Sequence, residues 1–445
     1  MAEIVPFAAY RYNLERVRLA DVVTQPYDKI SPAMQERYAQ NSPYNLIAVE
    51  KGQAAPTDSP ADNVYTRAEE ALALWIRDGI LLRDSAPGIY VYSQEYSVPG
   101  TAQRRTREGF IALGRVEDYS AGVVFRHERT LAGPKVDRLE LLRHTHTNTG
   151  QLFMLYDDPE RRVDELLAAA TRSVTPVEAR DEYGVVHRLW PVFDSAVISG
   201  VAREMAARKL VIADGHHRYE TALAYRDECR AKNGRREPDA PDAPYERAMM
   251  TFFNTRGEGL LILPTHRVVS HLAAFDADTL CKNVAGAFDA EAYSFVSDSA
   301  RSAAYGRFRR GLAVHAREGH AIGMYGRGVF VLLTLRPDAD LAAGLPDLSP
   351  AQRNLDVVLL HRLLLEKGLG ITPADVVAER NITYERDMDS ALAAVDEGRA
   401  QVCFLLNAVS VEQVMEMALA GEVLPQKSTD FYPKLLSGLT LYRLD

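Results

Sequence analysis

The stretch "KLVIADGHHRYETALAYRDECRAK" (residues 209–232) constrains the fold more than any other part of the chain. Leu210 to Ala213 form an apolar run of strand length, and from His216 onward the spacing of apolar residues is helical. Only Asp214 and Gly215 separate the two patterns. The stretch therefore predicts a buried strand, a turn made tight by glycine, and a helix that starts at once.

A helix that starts at such a turn presents backbone N–H groups without intrahelical acceptors, together with the positive end of its dipole. That is a recipe for anion binding, and Arg218 adds a donor suited to phosphate oxygens. The turn carries neither GxxxxGK[ST] nor GxGxxG. A plainer reading leaves Asp214 capping the helix and the two histidines and Arg218 in solvent. A metal reading takes Asp214, His216 and His217 as ligands, but adjacent helical residues point about 100° apart. It is the least favoured of the three.

Around this turn the chain reads as a mixed α/β protein. Short β-rich runs lie between residues 88 and 160, and residues 64–82 and 193–208 have helical spacing. Asp62 or Asn63 is placed to cap the helix over the former. Pro26 and Pro32 disfavour a helix around "DVVTQPYDKISP", which puts Asp28 on a loop beside a strand. The Pro- and Asp-rich segment 233–246 marks a junction, so we expect an α+β region over 1–235 and a C-terminal α/β region over 245–445.

With 445 residues the chain is long enough for two or three domains, and its net charge of -9 argues against a nucleic-acid partner. Cys229, Cys281 and Cys403 show no CxxC spacing, and no apolar run of about 18 residues occurs. The expectation is a cytoplasmic protein with no membrane partner.

Other stretches concentrate chemistry. "HERTLAGPKVDRLELL" (127–142) carries His127, Glu128, Arg129, Thr130, Lys135, Asp137 and Arg138. Lys135 and Arg138 could meet an anion, and His127 and Glu128 could supply acid/base chemistry. "PQKSTDFYPK" offers Lys427, Ser428, Thr429, Tyr432 and Lys434 as donors, or equally a turn whose hydroxyls satisfy their own backbone. Asp28 could orient a substrate amine or hydroxyl, or stabilise its own turn. His266, after Pro264, reads as a structural histidine first and a pocket residue second.

Taken together, "QPYDKIS" (25–31), "HERTLAGPKVDRLELL", "IADGHHRYETAL" (212–223) and "LPQKSTDFYPKLLSGL" (424–439) resemble, in order and over essentially the full length, the bacterial and archaeal DUF1015 family. The central motif also resembles, over about a dozen residues, the phosphate-binding turn of the ParB/sulfiredoxin superfamily, one branch of which comprises free L-serine kinases. This second resemblance implies a ParB/sulfiredoxin-like nucleotide-binding core with added β-rich and C-terminal α/β segments. It implies that Gly215, His216 and Arg218 hold phosphates and that Asp214 lies beside the transferred group. The doubled histidine and the large extra segments depart from those compact kinases.

The combined expectation is a phosphotransferase that moves a phosphoryl group from ATP, ADP or pyrophosphate to a small hydroxyl metabolite, with free L-serine first among acceptors. Asp214, His216, His217 and Glu128 are the catalytic candidates, with Asp214 also the candidate Mg²⁺ contact. Gly215, Arg218, Lys135, Arg138, Lys427, Ser428, Thr429 and Lys434 are the phosphate-binding candidates. Asp28, His127 and Tyr432 are the substrate-binding candidates. A phosphatase or nucleotide hydrolase using the same pocket, and a non-catalytic nucleotide-sensing module, are the alternatives. A homodimer is left open.

Overall fold

In the computed structural model the described residues are 2–128, 133–232 and 243–444. Arg129, Thr130 and most of the junction at 233–246 lie outside them. The chain divides into two compact units, the first formed by residues 1–126, 130–260 and 433–445, the second by residues 127–129 and 261–432.

The first unit is built on a mixed sheet. Its strands are β1 (Ile4–Val5), β2 (Ile89–Ser97), β3 (Arg104–Arg115), β4 (Val124–Arg126), β5 (Leu152–Tyr156), β6 (Val177–Arg180), β7 (Val186–Val192), β8 (Leu210–Asp214) and β9 (Arg247–Asn254). The order is β4-β8-β5-β9-β3-β2-β7-β6, with β1 paired to β3. β8 runs parallel to β4 and antiparallel to β5, and β9 runs parallel to β5. The remaining pairings are antiparallel.

The sheet forms where the sequence is β-branched, aromatic and apolar, as in "LFMLY" and "RAMMTFFN", whose central residues are fully buried. Phe110, Met154, Tyr156, Ile212, Tyr219, Met250 and Phe252 meet in one core. Asn63 caps the helix Val64–Arg77 with a capping box, and Asp194 caps Ser195–Ala206 by accepting from Ala196 N. The segment with Asp28 differs from expectation. Pro26 precedes a single 3₁₀ turn, Tyr27–Lys29, because its φ of -58° suits a tight turn.

The second unit contains an antiparallel sheet. Its strands β10 (His266–Val269), β11 (Phe288–Ser294), β12 (Ala321–Gly326), β13 (Val329–Leu335), β14 (Ile382–Glu385) and β15 (Val402–Leu405) are ordered β11-β13-β12-β15-β10-β14. Side chains of the helices Asp298–Glu318 and Met388–Asp396 share one core with this sheet through Phe308, Leu312, Phe330, Leu392 and Leu405. Among the described residues no helix is long and apolar enough to cross a membrane.

Candidate functional site

β8 leads directly into the helix α1 (His216–Lys232), as the sequence pattern predicts. Its pairing with β5 shifts register between Ile212 and Asp214. Such an irregularity re-aims a side chain, here the carboxylate at the end of the strand. Gly215 turns the chain with φ +91°, which a residue with a Cβ rarely adopts. A Cβ there would also lie 3.1 Å from Arg218 Nε and Nη2.

Gly215 C=O accepts from Tyr219 N at 3.0 Å, which starts the helical ladder. Asp214, one residue earlier, has its ion-pair partner elsewhere: Lys434 Nζ lies 3.4 Å from Asp214 Oδ2. Burial alone would raise the Asp214 carboxyl, but Lys434, Arg218, Lys29 and His216 outweigh it and hold the group well below the ordinary carboxylate range. Asp214 is thus a carboxylate set among cations.

Arg218 is fixed by donating from Nη1 to Gln151 C=O at 2.5 Å. Its Nε is buried with no hydrogen-bond partner among the described residues. Beside it lies a small cavity of about 60 Å³ whose polar lining includes Glu50, Arg138, Thr149 and Arg218. Glu50, 4% exposed, receives Arg138 Nη1 at 3.1 Å and Thr149 Oγ1 at 2.8 Å. Arg138 also stacks 4.3 Å over the Tyr27 ring and donates to Asp137.

Of the sequence candidates, Asp214, Gly215, His216, Arg218 and Lys434 gather at the start of α1, and Lys29 rather than Asp28 is the neighbour whose charge bears on Asp214. Two others are engaged by carboxylates, Lys135 by Glu220 on α1 and Arg138 by Glu50 and Asp137. His217 lies on the first turn of α1, where its carbonyl accepts from Thr221 Oγ1 at 2.8 Å.

The remaining candidates belong to the second unit. Glu128 Oε1 accepts from Lys427 N at 2.8 Å, while Arg267 Nη2 donates to Lys427 C=O at 3.2 Å. This pins both sides of a lysine held at φ +58°. His127 Nε2 lies 2.8 Å from Thr429 Oγ1, and Ser428 Oγ donates to Pro425 C=O at 2.5 Å. Tyr432 pairs with Leu261 in a short two-stranded ribbon.

His266 is structural in its contacts. Its Nδ1 accepts from Leu406 N at 3.2 Å, and burial pushes its pKa down to about 4. Sequence reasoning missed Lys29, Glu50, Arg107 and Arg267. Lys29 stood inside a quoted motif, Glu50 ends an apolar run, Arg267 stands next to His266 before two valines, and Arg107 lies in the charged stretch "RRTREGF".

Mg²⁺ requires several oxygen ligands near octahedral geometry. Asp214 is surrounded instead by Lys434, Arg218, Lys29 and His216. Among the described residues no group of three or more His, Cys, Asp or Glu comes together to hold a metal. The residues present do not fit a protein-held Mg²⁺.

The chain is similar to a conserved hypothetical protein from Pyrococcus furiosus, at 14% identity and TM-score 0.34, over 72% of this chain and 92% of that one. It is similar to a free serine kinase in complex with AMP, at 12% identity and TM-score 0.35, over 71% and 89%. It is also similar to SbnI with a C-terminal truncation from Staphylococcus aureus, at 9% identity and TM-score 0.32, over 74% and 85%. No curated protein matches it. The family described as "Protein of unknown function (DUF1015)" matches residues 4–358, and the chain belongs to it.

Proposed function

We propose that the start of α1 is a phosphate site and that the protein is a phosphotransferase, moving a phosphoryl group from a nucleotide or pyrophosphate to a small hydroxyl metabolite. L-serine is the first acceptor to try. The observation that carries this reading is the ionised Asp214 beside Lys434, Arg218 and Lys29 at a glycine turn that opens a helix.

Phosphoryl transfer asks a protein for charge neutralisation and alignment more than for covalent chemistry. In the proposal the first-turn N–H groups, Arg218 and Lys434 hold the phosphate oxygens of the donor. Asp214 keeps these cations in place in the absence of phosphate and orients the acceptor hydroxyl when phosphate is bound. The phosphorus–oxygen bond to the donor breaks as one to the acceptor oxygen forms, and the acceptor proton passes to Asp214, whose basicity rises once the donor phosphate draws Lys434 and Arg218 from it. No step runs through a protein-held metal.

The test is product analysis by mass spectrometry after incubation with ATP, ADP or pyrophosphate and a panel of hydroxyl metabolites. A phosphomonoester formed by wild type and lost in Arg218→Ala supports the reading. Release of phosphate with no acceptor present replaces it with hydrolysis.

A further inference from the structure

We propose that Arg107 and Gln94 are positioning residues that hold the backbone of Lys434 so that its ammonium reaches Asp214. The proposal rests on the phosphate-site reading for its functional consequence, but not for its geometry.

Arg107 and Gln94 lie on β3 and β2 and are 2% and 0% exposed. Arg107 Nε donates to Gln94 Oε1 at 3.1 Å, and its Nη2 donates to the carbonyl of Pro433 at 2.5 Å. Gln94 Nε2 donates to the next carbonyl, that of Lys434, at 2.7 Å. Two consecutive carbonyls of one segment are thus held by one buried pair. Beyond Lys434 the strap continues, with Gln151 Nε2 donating to Leu436 C=O at 3.3 Å and Ser437 N to Thr24 C=O at 2.9 Å.

A buried guanidinium is an expensive way to hold a carbonyl, since an amide or hydroxyl would do so without burying a charge. Arg107 lies against both Phe153 and Phe253, at 4.6 and 4.8 Å from the ring centroids. Burial pushes its pKa down to about 10, and Asp214 is among the groups whose field opposes that shift. Lys434 is flexible by nature, so a fixed backbone is what turns it into a directed cation.

The test uses the full chain with Arg107→Met, Arg107→Lys, Gln94→Glu and Lys434→Met. Gln94→Glu keeps an acceptor for Arg107 but loses the donor to Lys434, and serves if Arg107→Met does not fold. Two quantities are read: the Lys434–Asp214 separation in crystal structures, and pyrophosphate affinity by calorimetry. Support is a separation lengthened beyond contact in Arg107→Met or Gln94→Glu, about tenfold weaker pyrophosphate binding, partial rescue in Arg107→Lys, and no further loss on the Lys434→Met background. An unchanged separation, or losses that add to that of Lys434→Met, overturns the proposal. If wild type does not bind pyrophosphate, the phosphate-site reading is in difficulty, and the crystallographic separation alone decides the positioning role.

Discussion

Lys434 Nζ and Asp214 Oδ2 stand 3.4 Å apart, with the lysine side chain 9% and the aspartate 24% exposed. An ion pair this sheltered keeps more of its Coulomb energy than a surface pair, and removing Lys434 leaves Arg218, Lys29 and His216 alone to offset the burial of Asp214. Lys434→Met should lower stability by about 1–3 kcal/mol, and Lys434→Met/Asp214→Asn should recover part of it. A denaturant double-mutant cycle checks this, because additive losses would mean the two groups do not interact.

Gly215 sits at φ +91°, with the Arg218 guanidinium 3.1 Å from where a Cβ would go. Gly215→Ala must strain the turn and displace the guanidinium at once, so it should cost about 1–3 kcal/mol and abolish anion binding. Thermal melts and pyrophosphate calorimetry on the same sample separate the two effects.

Lys427 is held at φ +58° by Glu128 below its N–H and Arg267 on its carbonyl. A glycine adopts that conformation without strain, whereas alanine does not. Lys427→Gly should be more stable than Lys427→Ala by about 1 kcal/mol. Equal stabilities would show that the pinned geometry stores no strain.

In the second unit His266 is buried and His361 half-buried, and desolvation is the larger cause of both depressed values, about 4 for His266 and about 3 for His361, with Arg267 adding to each. Their folded pKa values lie below the ordinary 6.5, so between pH 6.5 and about 4 the unfolded chain binds more protons. Stability is therefore unaffected above that window and falls as pH drops through it, by up to about 1.4 kcal/mol per pH unit for each group. Urea titrations across the window should show the slope, reduced in His266→Asn and His361→Gln.

The local grammar was legible in the sequence. The strand, glycine turn and helix at 210–232, the capped helix at 64, the helix at 195, and the extended runs of β2, β3 and β5 follow from periodicity and capping residues that act over a few positions. The pairing of Asp214 with Lys434 was not legible. It joins parts of a unit assembled from residues 1–126, 130–260 and 433–445, and no local pattern encodes which segment returns to which strand end.

The same reason hid the compensation of Lys135 by Glu220 and of Arg138 by Glu50, since a cation in a motif looks available until its acid is located. Arg107 was hidden differently. It lies in a strand that reads as charged and exposed, "RRTREGF", yet it is the one of these arginines that the fold buries.

The measurement that bears most directly on the phosphotransferase reading is a ³¹P NMR time course of the full chain with L-serine, Mg²⁺ in the buffer, and ATP, ADP or pyrophosphate in turn, wild type against Lys434→Met. The account predicts a serine-dependent phosphomonoester resonance with wild type that is at least about 100-fold slower to appear with the variant. A resonance that grows equally in both would contradict it.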